Sequence, residues 1–121
     1  MTETFNMSYQ ATNVTRVRGD TFPFSFVIKD SAGTIVDITG FGFKLSVDTN
    51  EEPTDELTQL FKLVGVVPVG TDGVVTFTLS ASEADQTPST YYFDLEQTDL
   101  ASKIRTVAKG EWNVVQDVTK T

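Results

Sequence analysis

Residues 22–28 read Phe-Pro-Phe-Ser-Phe-Val-Ile, and the period of this stretch decides the fold class. Phe22, Phe24, Phe26 and Ile28 stand at every second position, with Pro23, Ser25 and Val27 between them. A strand turns successive side chains to opposite faces, so this spacing gathers four large apolar groups on one side; a helix would scatter them around its axis. The stretch is therefore expected to be a half-buried β-strand that needs neighbours to cover it.

The rest of the chain supplies those neighbours. Asp30-Ser31-Ala32-Gly33 carries turn chemistry, and Thr34 to Ile38 is expected to form a short return strand. Phe41, Phe43, Leu45 and Val47 then alternate with Gly42, Lys44 and Ser46, a second sheet-facing stripe. Leu60 to Val69 is apolar on both faces and is expected to lie under cover. Thr71-Asp72-Gly73 is a turn signal, followed by Val75, Phe77 and Leu79 set against Thr76 and Thr78. Ser80-Ala81-Ser82-Glu83 matches a capping box and Thr87-Pro88 stops any helix begun there, which predicts one short helical turn.

Further on, Tyr91, Phe93 and Leu95 oppose Tyr92, Asp94 and Glu96. Ile104 to Val118 reads as a long last strand in which Gly110 marks a bulge or bend and Trp112 shares a face with Val114. About eight short strands with turns at even spacing describe an all-β fold: a single antiparallel β-sandwich, immunoglobulin-like or a related Greek key. Its core is expected around Phe24, Phe26, Phe43, Phe77, Phe93 and Trp112. Residues 1–13 would be an N-terminal arm or first strand, residues 14–118 the sandwich and residues 119–121 a tail.

Composition narrows the function. At 121 residues the chain is long enough for one self-sufficient core. It has neither cysteine nor histidine, which removes thiol chemistry, the usual general base and the commonest metal ligand. No catalytic residue, cofactor or metal is expected, and the chain is not expected to be an enzyme. The net charge of −8, with cations such as Arg16, Arg18, Lys103, Arg105 and Lys109 scattered singly, argues against nucleic acid. The N-terminus has no apolar run and no segment reaches membrane-spanning length, so the expectation is synthesis in the cytoplasm of whichever cell translates the chain and no membrane partner.

Several motifs invite a sharper reading. Arg18-Gly19-Asp20 spells an adhesion tripeptide, yet it stands directly before the strongest strand, where glycine and aspartate serve a turn. The acidic run with Asp48, Glu51, Glu52, Asp55 and Glu56 could offer oxygen ligands to calcium, although Pro53 interrupts it and a solvated loop explains it. Asp94 and Glu96 resemble a glycosidase pair only in residue type. Tyr92 is the aromatic expected to be exposed, and a single ring makes a poor sugar platform, so carbohydrate is not the expected partner. Phe5, Met7 and Tyr9 alternate ahead of the first strong strand and could add a strand to a neighbour's sheet; with Tyr92 they are the candidate partner-binding residues.

Two long stretches, RVRGDTFPFSFVIKDSAGTIVDITGFGFKLSV and VVTFTLSASEADQTPSTYYFDLEQTDLASKIRTVAKGEWNVVQDV, resemble the N-terminal module of baseplate upper and tail-fibre proteins of tailed bacteriophages. The shared features are the strand after Arg-Gly-Asp-Thr, the Asp-x-x-Gly turn, the Ile-Thr-Gly step, the capped turn, the Tyr-Tyr-x-Asp strand and the Lys-x-Arg-Thr strand. The resemblance spans roughly Val14 to Val118. It implies a virion structural protein that docks onto other phage structural proteins, in several copies, as a tail or baseplate adaptor or fibre-attachment module. The last strand runs almost to Thr121, so attachment and not receptor recognition is the expected role. Capsid decoration and a carbohydrate-binding module are the alternatives.

Overall fold

A computed structural model describes residues 3–7, 10–11, 13–30 and 32–118. The alternating segments become β1 (Glu3–Met7), β2 (Gln10–Ala11), β3 (Val14–Val17), β4 (Phe24–Ile28), β5 (Gly42–Asp48), β6 (Gln59–Val64), β7 (Val74–Phe77), β8 (Ser89–Thr98) and β9 (Ile104–Val115). A single turn of helix, α1 (Ala81–Ala84), precedes β8. It begins where the capping box predicts: the Ser80 hydroxyl accepts from the Glu83 N–H and the Glu83 carboxylate accepts from the Ser80 N–H.

The strands form a smaller sheet in the order β1-β4-β7 and a larger one in the order β2-β9-β8-β5-β6, with β3 also on β9. The fold is the expected all-β sandwich, and its pairs β4–β7, β5–β6, β5–β8 and β8–β9 are antiparallel. The N-terminal strands depart from that pattern. β1 runs parallel to β4, while β2 and β3 run parallel to β9. Alternation identifies a strand but is blind to its partner's direction, so these pairings were not readable locally.

Inward positions of both sheets meet in one aromatic core. Phe24 of the smaller sheet stacks on Phe77 at 5.7 Å and meets Trp112 of the larger sheet edge-on at 5.5 Å. Phe26 faces Phe93 across the same gap at 6.3 Å, and Trp112 also touches Phe61 and Phe93. Phe43, Leu45, Val47, Val75 and Leu95 complete the buried layer. Each such side chain contributes about 2 kcal/mol by leaving water. The Tyr91 hydroxyl donates to the Thr87 carbonyl at 2.6 Å, a bond that ties the start of β8 to the turn before it, much as a tyrosine corner does in immunoglobulin-like sandwiches.

Four local expectations are corrected. Phe22 lies outside β4 and is 62% exposed, because Pro23 has no N–H to extend the ladder. The return strand at Thr34 to Ile38 shrinks to one bridge between Lys29 and Ile35, since Asp30 accepts from the N–H groups of Ala32 and Thr34 and turns the chain at once. Leu60 to Val69 is not covered on both faces: β6 is an edge strand bonded to β5, so Phe61 and Leu63 are buried while Val64 and Val66 are exposed. The bulge of β9 falls at Val107, where Leu95 pairs with Ala108 and Glu96 with Thr106; Gly110 stays in register with Phe93. The extra residue lets Val107 and Ala108 both be buried.

Gly65 is a corner. Its N–H still bonds the Phe43 carbonyl of the larger sheet at 2.9 Å, while Val66 exchanges both backbone bonds with Thr76 of the smaller sheet. A Cβ at Gly65 would collide with Val75 and the Phe77 ring, so only glycine lets the chain cross here between sheets.

Candidate functional site

The outward positions of the larger sheet form rows fixed by register. One row runs Lys62, Ser46, Asp94, Lys109; the next is Val64, Lys44, Glu96, Thr106. A third passes through Gln59, Asp48, Tyr92 and Glu111. The acidic loop after β5 folds over these rows and encloses a concavity of about 300 Å³ lined by Asp48, Asp55, Glu56, Tyr92, Asp94 and Glu96, among others. Residues far apart in the sequence, the acidic run and the Tyr92 to Glu96 strand, thus meet at one place.

The loop's carboxylates are largely engaged in closing it. Asp48 is buried and its Oδ1 accepts from the Asn50 N–H at 2.8 Å and the Thr58 hydroxyl at 2.6 Å. Asp55 Oδ1 accepts from the Leu57 N–H, and Glu56 pairs with Lys62 at 3.0 Å. Among the described residues no group of three or more acidic side chains is placed to hold a metal ion. Asp94 is the electrostatic exception. Its pKa is raised, first by burial and next by Glu96, against the opposing pull of Lys109 and Lys62. Asp94 and Glu96 sit side by side on one strand, whereas glycoside hydrolysis needs carboxyls flanking the scissile bond.

Arg18-Gly19-Asp20 is a docked turn. The Arg18 Nε bonds Asp85 Oδ1 at 2.8 Å, the Gly19 N–H bonds the Ala84 carbonyl at 2.9 Å, and Gly19 takes the left-handed φ of 88°. Arg16 locks the same turn from within. It is buried, its guanidinium lies 5.0 Å over the Phe24 ring, and it donates to the carbonyls of Asp20 and Phe22. The tripeptide's arginine and glycine are thereby tied to the helical turn α1 and the residue that caps it.

Of the candidate partner-binding residues, Phe5 and Met7 lie in β1 with their backbones in register with Phe26 and Ile28. Tyr9 lies outside the described residues. Tyr92 is half-buried on the floor of the groove, apart from β1. A surface that the sequence did not single out is the outward side of the smaller sheet. There the buried Ser25 pairs with Thr76 and Val27 with Val74, the last three half-buried, and the exposed Val66 adjoins Thr76. None of these carries charge. The signal was present in the off-beat positions of FPFSFVI, which are Ser25 and Val27 where a solvated strand would show charged residues. No helix among the described residues is long and apolar enough to cross a membrane.

No protein-family model and no curated protein matches the sequence. Among solved structures, the fold is similar to the N-terminal domain of phage TP901-1 ORF48, with a TM-score of 0.59 at 13% identity, covering 94% of this chain and 98% of that one. CopC from Methylosinus trichosporium OB3b matches at a TM-score of 0.42 and 9% identity over 65% of this chain and 67% of its own. The bradyzoite-specific antigen BSR4 from Toxoplasma gondii matches at 0.39 and 11% identity over 88% of this chain and 44% of its own. These last two are too distant to bear on function.

Proposed function

We propose that this chain is a non-enzymatic structural module of a tailed bacteriophage particle, an adaptor or fibre-attachment unit of the tail or baseplate that works through protein–protein contacts. The observation that carries the reading is the likeness of fold to a phage domain over 94% of this chain and 98% of that one, at 13% identity. The ordered turn and strand motifs that resemble phage attachment modules add to it. The site chemistry agrees in kind: carboxylates close a loop, and the Arg-Gly-Asp turn is fastened to its own domain. Such a rigid sandwich offers surfaces and edges to neighbours, the property an adaptor needs.

The test is location. An antibody raised against the purified chain is expected to label the tail end of particles whose genome encodes it, by electron microscopy. Uniform labelling of the head would favour capsid decoration instead. Absence of the chain from purified particles by mass spectrometry would contradict the proposal.

A further inference from the structure

We propose that the β4 edge accepts residues 3–7 of a neighbouring copy of this chain in exchange for its own, so that adjacent copies are joined by a traded N-terminal strand.

The occupant is identified by the pairing itself. β1 runs parallel to β4, with Glu3 opposite Phe24 and Met7 opposite Ile28. Whichever copy supplies that segment, the same backbone pairing forms in the same register, so a second copy brings a strand that already fits. β1 is the outermost strand of its sheet and borders β4 alone, so it can leave without breaking another pair. The bonds lost on leaving are regained on arrival, and the balance is set by what else changes.

What changes is the connection. β2 and β3 share one register on β9, with Gln10 opposite Ala108 and Val14 opposite Trp112, which fixes Gln10 to the larger sheet, while Met7 is fixed to the smaller. β3 runs toward α1, where Arg18 bonds Asp85; β4 starts beside Phe77, just ahead of α1, and runs away from it. Because β1 is parallel to β4, and β2 and β3 to β9, the chain has to change sheets and reverse direction between Met7 and Gln10. Three peptide steps reach at most about 11 Å, and packed sheets lie about 10 Å apart. Returning to the same copy uses nearly all of that reach, whereas passing to a neighbour removes the need to reverse. Short connections that have to turn tightly favour exchange between copies. The net charge of −8 on each copy opposes the encounter, so exchange is slow in dilute solution at low salt and faster between copies held side by side. The trade is a property of the chain alone, whatever particle it serves.

The chain has no cysteine, so a pair of substitutions reports the trade directly. Asn6 stands opposite Val27, and Val27 is only half-buried. The full chain carrying Asn6→Cys and Val27→Cys is held at millimolar concentration in salt, diluted, and then oxidised with oxidised glutathione. Covalent dimers are expected on a non-reducing gel, their yield rising with the concentration of the first step. Inserting Gly-Ser-Gly between Ser8 and Tyr9 lengthens the connection; it should lower that yield about tenfold or more and leave the melting curve unchanged. Deleting Ser8 and Tyr9 leaves one peptide step of about 3.8 Å, too short to change sheets, and should make the chain dimeric even at micromolar concentration. Cross-links confined to single chains at every concentration would overturn the proposal, even if the shortened chain fails to fold. So would a dimer yield that the insertion leaves unchanged, or one matched by Asn6→Cys or Val27→Cys alone, which would report chance collision and not a traded strand.

Discussion

On the larger sheet the outward positions of β5 and β8 are Lys44, Ser46, Asp94 and Glu96; on the smaller sheet those of β4 and β7 are Ser25, Val27, Thr76 and Val74. Behind both faces the inward positions are of one kind, Phe43, Leu45, Phe93 and Leu95 on one side and Phe24, Phe26, Val75 and Phe77 on the other. The hydrophobic effect fixes the inward half of each strand and leaves the outward half free to vary. What a face can meet is therefore written in the residues that alternation treats as filler. One side has a charged mosaic over which an acidic loop folds into a groove; the other carries no charge at these positions, and its Ser25 is buried.

These two unlike faces back onto one core, and the largest expected effect tests this. Phe24→Ala removes a ring of the smaller sheet that touches Trp112 of the larger, and it should cost about 3–5 kcal/mol in urea unfolding. Loss of the same size should be read by Trp112 fluorescence and by far-ultraviolet dichroism. If the tryptophan signal were unaffected, the sheets would not share a core.

A middle-sized effect belongs to the larger sheet. Tyr91→Phe deletes the hydroxyl that bonds the Thr87 carbonyl and should cost about 1 kcal/mol, with the outward groove unaltered. No change in the melt would mean the corner does not anchor β8.

The smallest effect sharpens the charge contrast itself. Burial and Glu96 hold the Asp94 pKa above the ordinary 3.8, so between these values the folded state binds the proton that the unfolded state has lost. Its charged form thus detracts from stability at neutral pH, and this is relieved as pH falls through the raised value and is gone below 3.8. Asp94→Asn should accordingly raise the melting temperature slightly at about pH 7, with the difference vanishing near pH 3. Val27→Asn on the uncharged face should show no such pH dependence.

Much of the fold was legible because it rests on local periods. The stripes at Phe24 and Phe43, the capping box at Ser80 and the burial of Trp112 are consequences of spacing alone. What was hidden depends on distant partners. Arg16 occupies an inward position of β3 and is tolerated there because the Phe24 ring and two carbonyls of the adjoining turn receive its guanidinium. The sheet crossing at Gly65 required knowing that Val75 and Phe77 pass behind it. The groove was visible only in pieces, Asp48 in one place and Tyr92 with Asp94 in another, until the β5–β8 register set Asp48 opposite Tyr92. The uncharged face needed the β4–β7 register in the same way.

Trp112 is the only tryptophan in the chain, and it is 1% exposed between the two sheets. Acrylamide quenching of its fluorescence is therefore the most direct test of a sandwich closed over one aromatic core. The expected result is short-wavelength emission, quenched several-fold less than free tryptophan, with protection lost at the same urea midpoint as the sheet signal. Long-wavelength emission in native buffer, quenched as readily as the free amino acid, would contradict it.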